Sequence, residues 1–320
     1  MAEYQGNKNV AASSFPAHLI GKARAWAQAR WGGMEPIARG ALLVSAGSLT
    51  LVVMATVVKY LGSRLPSMEI LFFRSLLGFF FILPIFIRNP LEPFRTKRFG
   101  MHLVRGATGA IGNACFFWTI THLLLADAMA LQFSRPLFMI PLALLFLGEI
   151  AGLRRTIISL IGFAGILLYA RPFTSGFEPG AFVGATGALF GGLVVICIKR
   201  LQTTEPTRVI MFYYAFWNAA FALIPAVWFW VTPTLPELAL LTVVGILGIG
   251  GQTMITHGLS QGEATVLVPL DYSRIVYSAA LGYLLFNELP GVWSFAGMGL
   301  IVASSLYLVL TEKRARMALP

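Results

Sequence analysis

"FSRPLFMIPLALLFLGE" runs from Phe133 to Glu149, and "YSRIVYSAALGYLLFNE" runs from Tyr272 to Glu288. Each opens on an aromatic residue followed by Ser-Arg, continues through apolar sequence and closes on Glu, and the second begins 139 positions after the first. Carried outward, the correspondence takes in most of the chain. Gly40, Ala41, Gly47, Leu49, Lys59 and Leu61 fall on Gly180, Ala181, Gly187, Leu189, Lys199 and Leu201. Ile70 and Phe72 fall on Ile210 and Phe212, with Arg74 opposite Tyr214. Gly106, Gly109, Gly112 and Asn113 fall on Gly245, Gly248, Gly251 and Gln252. The chain is written twice.

The medium follows from composition. Of 320 residues 57% are apolar and only 12% charged, whereas about a quarter of residues are charged in soluble domains; the mean hydropathy is +0.77. Ten apolar windows long enough to cross a bilayer as helices lie near 40–61, 68–88, 103–122, 125–147, 156–171, 180–198, 209–231, 237–257, 264–286 and 292–311. The fold expected is an all-α polytopic membrane protein. A basic tail, 1–38, precedes a five-span unit at 39–172, a second unit occupies 176–311, and a short tail, 312–320, follows.

The net charge of +11 raises the question of nucleic acid, and the placement of the basic residues answers it. With the N-terminus in the cytoplasm, 17 of the 24 basic residues fall on that side, among them Arg39, Arg88, Arg95, Lys97, Arg98, Arg154, Arg200, Arg208 and Lys313. Only Lys59, Arg64 and Arg171 face out. That bias is an orientation signal, so both termini are expected in the cytoplasm and nucleic acid is not an expected partner. Residues 17–31 mix Lys22, Arg24 and Arg30 with Trp26 and Trp31, which suits either a helix lying on the lipid surface or a basic tail. Residues 1–38 lack the apolar stretch of a secretory leader. Cys115 and Cys197 fall within spans, where they read as small apolar fillers, and no disulfide is expected.

An odd number of spans per unit makes the second copy enter the membrane from the opposite side. An inverted repeat lets two equivalent halves exchange inward-open and outward-open shapes around one midplane site, the construction of many secondary carriers. Ionisable and hydrogen-bonding groups within spans mark that site, because they are costly in lipid and usually functional. Arg135 and Arg274 each lie about ten residues into a span, near the bilayer centre at 1.5 Å per residue. Asp271, three positions before Arg274, can neutralise it locally. Arg135 has no acid within a turn, so its planar fork either awaits a carboxylate or phosphate or pairs with a distant helix, Asp271 being the candidate. Gln132 stands beside it. Asn113 and Gln252 extend the glycine stripes as amides suited to interhelical bonds or substrate contact. Arg74 and Arg105, nearer the span ends, can snorkel, but Arg74 is also a candidate for the cavity lining, contributed by span two as Tyr214 is by span seven. Tyr213, Tyr214, Trp217 and Tyr272 could stack on a planar or cationic ligand. Asp127 and Glu263 stand at span starts, where capping is favoured over proton coupling; Glu149 and Glu288 read as loop anchors. His122 and His257 are too isolated for a metal site. No phosphate loop, metal-spaced Cys pair or nucleophile elbow is present, so neither an enzyme nor a cofactor is expected.

The spans closing on "ALLFLGE" and "GYLLFNE", with the glycine-bearing helices "IGFAGILLYARP" and "FAGMGLIVASSLYLVL", resemble tandem EamA domains of the drug/metabolite transporter superfamily over residues 39–311. Within it, "KYLGSRLPSMEILFFR" (Lys59–Arg74) and "YSRIVYSAALGYLLFNELP" (Tyr272–Pro290) resemble bacterial importers of S-adenosylmethionine and, more distantly, of riboflavin. The resemblance implies an inner-membrane carrier for a small metabolite, with Arg135 on a carboxylate, Asp271 on an amine or sulfonium and the tyrosines on a ring. Export of amino acids or drug-like metabolites and flipping of a lipid or isoprenoid phosphate are the rival readings. A coupling proton and a monomeric or homodimeric state complete the expectation.

Overall fold

The computed structural model describes residues 34–317 except 88, 148–151, 172–173, 175, 202, 260, 262–266 and 268–269. The N-terminal tail before residue 34, Arg88, Glu149 and Glu263 therefore lie outside the described residues. All regular structure among those described is helical: α1 Pro36–Leu61, α2 Ser67–Ile82, α3 Phe99–His122, α4 Leu125–Gln132, α5 Arg135–Leu147, α6 Leu153–Ala170, α7 Gly180–Leu201, α8 Thr207–Trp228, α9 Leu235–Leu259, α10 Ser273–Phe286 and α11 Val292–Met317. Five of them are long and apolar enough to cross a membrane: Pro36–Leu61, Ser67–Phe86, Gly180–Ile198, Arg208–Trp228 and Leu235–Leu259. Thr156–Ala170, Ser273–Phe286 and Val292–Tyr307 are shorter apolar helices.

Local sequence sets the ends. Pro36 opens α1, where a missing N–H costs nothing. Pro66 and Pro206 immediately precede α2 and α8, fixing an extended entry. Arg171 and Asn287 adopt left-handed φ of 46° and 55° to stop α6 and α10.

Span four is not the continuous helix expected over 125–147. It breaks between α4 and α5 at Phe133 and Ser134. The cause is Pro136, which offers no N–H to the Gln132 carbonyl and whose ring collides with it. Ser134 closes the break by donating its hydroxyl to the Leu131 carbonyl at 2.6 Å. The equivalent Ser273 begins α10 with Tyr272 as its N-cap, so Asp271 lies ahead of that helix rather than on one face of it with Arg274. Both Ser-Arg pairs thus sit where a helix starts inside the apolar layer. The residues ahead of them, Phe133 and Tyr272, stack on each other with ring centroids 4.3 Å apart and planes 18° apart.

Four helix pairs make the main packing: α1 with α9, α3 with α7, α2 with α8, and α6 with α11. Close approach is enforced by small residues. At the α1–α9 crossing a Cβ on Gly47 would sit 2.8 Å from the Gly251 carbonyl oxygen, and at α6–α11 a Cβ on Gly165 would sit 3.0 Å from that of Gly297. The largest apolar core, including Phe117, Ile120, Leu125, Met129, Leu241 and Val244, joins α1, α2, α3, α4 and α9. The last helix continues past the expected span end at 311, to Met317.

Candidate functional site

When the basic residues assigned to the two surfaces are set aside, four remain: Arg74, Arg105, Arg135 and Arg274. The structure gathers these four around Tyr214 and Asp271. Arg74 from α2 puts its charge beside Tyr214 of α8 and lies over the Phe117 ring, 5.6 Å from its centroid. Arg105 from α3 lies over the other ring, that of Tyr214, at 4.3 Å. Arg135, the first residue of α5, feels the charges of Arg274, Tyr214 and Asp271. Its Nε packs where glycine leaves room, since a Cβ on Gly191 of α7 would be 2.6 Å away. Arg274 pairs with Asp271 at 2.6 Å and lies 5.9 Å from the centroid of Phe133.

Polar groups from α1, α3 and α8 complete the cluster. Asn113 donates to the Tyr214 hydroxyl at 2.9 Å and to the Asn218 side-chain carbonyl at 2.8 Å. Asn218 in turn donates to the Tyr214 carbonyl at 2.9 Å. Ser48 of α1 donates to Asp271 at 2.7 Å. Arg105, Asn218 and Ser48 were not singled out for the site from sequence. Arg105 was expected to snorkel, yet only 6% of it is exposed, because the glycine stripe of α3 brings it inward against α8. Asn218 carried one legible signal: it lies four positions, one helical turn, beyond Tyr214.

The electrostatics are lopsided. Among the described residues four guanidinium groups share one carboxylate, which Arg274 and Ser48 already occupy. No ion pair joins Arg135 to Asp271. Among the described residues, Nε of Arg74, Arg105, Arg135 and Arg274 and Nη1 of Arg105 are buried without an acceptor. A buried charged donor left unmatched costs at least about 1–3 kcal/mol. Retaining several together in one place suits a ligand that brings its own acceptors.

Other expected residues lie elsewhere. Tyr213 is buried at the other edge of α8, where its hydroxyl donates to the Pro93 carbonyl at 2.9 Å and its ring stacks on His102 at 4.4 Å. Trp217 packs on Phe99 and Phe221 and against Gly106; both belong to an aromatic cluster that seals one end of the bundle. Gln252 is exposed and so departs from its counterpart Asn113. Gln132 is half-buried at the α4–α5 break. Tyr272 meets Phe133 beside Arg274.

Each end of the bundle is tied across the sequence halves. At the end carrying the turns 62–66, 123–124 and 287–291, Lys59 pairs with Glu288, which accepts the Leu125 N–H at 2.8 Å. Glu288, expected as a loop anchor, thus caps α4, and Asp127, expected to cap it, makes no such bond. Nearby Arg64 pairs with Glu237, a hydrogen bond that holds its guanidinium above the usual range, and Glu69 accepts the Val231 N–H at 3.1 Å. At the opposite end Thr96 donates to Glu205 at 2.7 Å and Arg208 pairs with Glu92 at 2.6 Å.

A multi-helix apolar bundle with a buried, ligand-seeking basic cluster defines a membrane transport protein. Residues 38–171 and 178–310 match the EamA-like transporter family, and the chain belongs to that family. It is 34% identical over 283 residues to a pseudopaline exporter of Pseudomonas aeruginosa, covering 88% of this chain and 99% of that one. It is 30% identical over 257 residues to an S-adenosylmethionine uptake transporter of Rickettsia bellii, covering 80% and 88%. A riboflavin transporter of Brucella anthropi is 26% identical over 262 residues, covering 78% and 91%. A solved crystal structure, 20% identical, superposes with a TM-score of 0.54 over 86% of this chain and 98% of its own, which speaks to the fold alone. The names of these relatives are those of transporters rather than enzymes.

Proposed function

We propose that this protein is a ten-span secondary carrier in the bacterial inner membrane, built as two inverted five-span repeats over 39–172 and 176–311. It alternates access of a midplane site to a small organic metabolite bearing carboxylate or phosphate groups. The observation that carries the reading is the convergence of Arg74, Arg105, Arg135 and Arg274 around Tyr214, with Asp271 as the single acid there among the described residues. An anionic metabolite supplies the acceptors those guanidinium groups lack, and a fork–carboxylate or fork–phosphate pair is both strong and orienting. Asp271 offers a place for a cationic group on the same molecule, reached by exchanging with Arg274.

Helix packing supports the inverted repeat. Exchanging each span for its counterpart turns the α1–α9 contact into the α7–α3 contact, and returns α2–α8 and α6–α11 to themselves. The Phe133–Tyr272 stack joins equivalent residues across the same exchange. In the orientation the basic residues dictate, both termini are cytoplasmic and the Lys59–Glu288 end faces out.

The test is a thermal-shift panel on the purified full-length protein. Pseudopaline, S-adenosylmethionine and riboflavin lead it, followed by amino acids and polyprenyl phosphate, because a ligand bound only to the folded state raises its stability by mass action. Hits then go to counterflow in proteoliposomes. A carboxylate-bearing metabolite that stabilises the protein and exchanges across the membrane supports the reading. Stabilisation by polyprenyl phosphate alone replaces it with a lipid flippase.

A further inference from the structure

Asp127 is, with Glu69, one of two buried acids among the described residues that the site above leaves unused, and unlike Glu69, which holds the Val231 N–H, it accepts no backbone N–H. It lies in the first turn of α4 and is 2% exposed. The polar groups nearest it are the hydroxyls of Tyr169 of α6 and Ser294 of α11, and its Oδ1 has no partner among the described residues. The charges it feels most are two further carboxylates, Glu288 beyond α10 and Glu178 before α7. Glu178 caps Gly180 at 3.1 Å, and Glu288 takes both Lys59 and the Leu125 N–H. The other elements packed on α4 bring Lys59 from α1, which is held by Glu288, and His122 from α3, which is exposed and stacked on Trp118 at 4.1 Å. Arg171 acts on Tyr169 from the end of α6. No described cation pairs with Asp127 itself.

An unpaired carboxylate buried in apolar surroundings costs several kcal/mol, and such a group takes up a proton instead. Asp127 sits two residues inside the helix whose N-terminus Glu288 grips, about 3 Å along its axis. Water therefore reaches it when that grip is released. We propose that Asp127 is a proton-binding site of the carrier, and that its exchange with the outside is linked to the Lys59–Glu288 latch. The proton moves between the Asp127 carboxyl and outside water, and no other bond changes. With Asp127 neutral, Glu288 has only Lys59 and the α4 N-terminus to answer to, and the latch holds. Once Asp127 ionises, like charge sits beside Glu288 and the latch weakens. Acid thus favours the latched form and alkali the open one. As the coupling step of transport this rests on the carrier reading; the proton site itself does not.

Both measurements use the full-length protein and need no transported metabolite, so their failure is separable from failure of the carrier reading. In difference infrared spectra between acid and alkaline pH, the carbonyl band of a protonated carboxylic acid is expected to be present in the wild type and in Glu178→Gln, and lost in Asp127→Asn. The second is labelling by a membrane-impermeant maleimide of Ser67→Cys, a buried position at the same end of the bundle where Ser67 meets Thr121 at 3.0 Å, in a Cys115→Ala, Cys197→Ala background in proteoliposomes. Its rate is expected to rise with pH by up to about tenfold per unit, the slope of one linked proton. Adding Asp127→Asn should leave labelling slow at every pH, and adding Glu288→Gln should make it fast at every pH. If Asp127→Asn fails to fold, Asp127→Glu should keep the band at a shifted position. Spectra identical with and without Asp127, or a pH-dependent rate that survives Asp127→Asn, overturn the proposal.

Discussion

Replacing Arg135 by glutamine should move stability and binding in opposite directions. The side chain lies beside a second cation, Arg274, and its Nε is buried with no acceptor. The acid it could use is already held by Arg274 at 2.6 Å and Ser48 at 2.7 Å. Removing an unmatched buried charge should therefore return up to about 1–3 kcal/mol to the ligand-free protein, seen as a rise in its unfolding temperature in detergent at undiminished membrane abundance. The same substitution deletes a charge-assisted contact to the anionic metabolite, which is worth about 1.5–3 kcal/mol. At 1.4 kcal/mol per decade that weakens binding by roughly 12- to 140-fold. Thermal unfolding with and without the metabolite identified in the panel measures both terms in one series, and counterflow reports the loss of transport. A variant that is less stable when free, or that binds with unchanged affinity, refutes the argument: the first shows that Arg135 has a structural partner, the second that it never meets the ligand.

Substitutions at four further positions separate packing from the site. Gly191→Ala puts a Cβ 2.6 Å from Arg135 Nε; because the flexible end of an arginine can give way, stability should change by under about 1 kcal/mol while ligand affinity falls, both read from the same thermal series. Gly251→Ala drives a Cβ to 2.8 Å from Leu51 and 3.1 Å from the Gly47 carbonyl, where overpacking should cost about 1–3 kcal/mol. Gly250→Ala next to it meets nothing within 4 Å and, inside the helix, should leave the unfolding temperature unchanged or raise it slightly. Tyr214→Phe removes the hydroxyl that accepts from Asn113 and lies beside the Arg74 charge but keeps the ring under Arg105, so about 1 kcal/mol of stability should be lost. Ligand affinity should fall through the freed Arg74, and Tyr214→Ala should lose more of both in the same isotherms.

What sequence could say about this protein depended on the range of the force involved. The cost of charge in lipid acts residue by residue, so Arg74, Arg135, Asp271 and Arg274 stood out without any knowledge of partners, and the repeat made Asn113 and Tyr214 conspicuous. The α4–α5 break was also written locally, in Pro136 two residues after Ser134, but the apolar run hid it. Its counterpart at Tyr272 has no proline at the matching place, since Ile275 stands there, and only equivalence between the halves could have revealed it. Choices of face were not local. Tyr213 and Tyr214 are neighbours that a helix turns about 100° apart, as 3.6 residues per turn requires; one met Pro93 and His102, the other the arginines, and nothing in their own segment distinguished them. Arg105 looked like a snorkelling residue by its distance from a span end, and the glycines at 106 and 109 that let α8 come close were visible only as a stripe. The exchange of caps is the sharpest case. Asp127 had the right position to cap α4, yet Glu288, 161 positions later, took the Leu125 N–H because Lys59 holds it there. A helix N-terminus inside a bundle is open to any acid the fold delivers, and the acid thereby displaced is left buried and without a cation, the condition under which a carboxylate exchanges protons instead of binding helix dipoles.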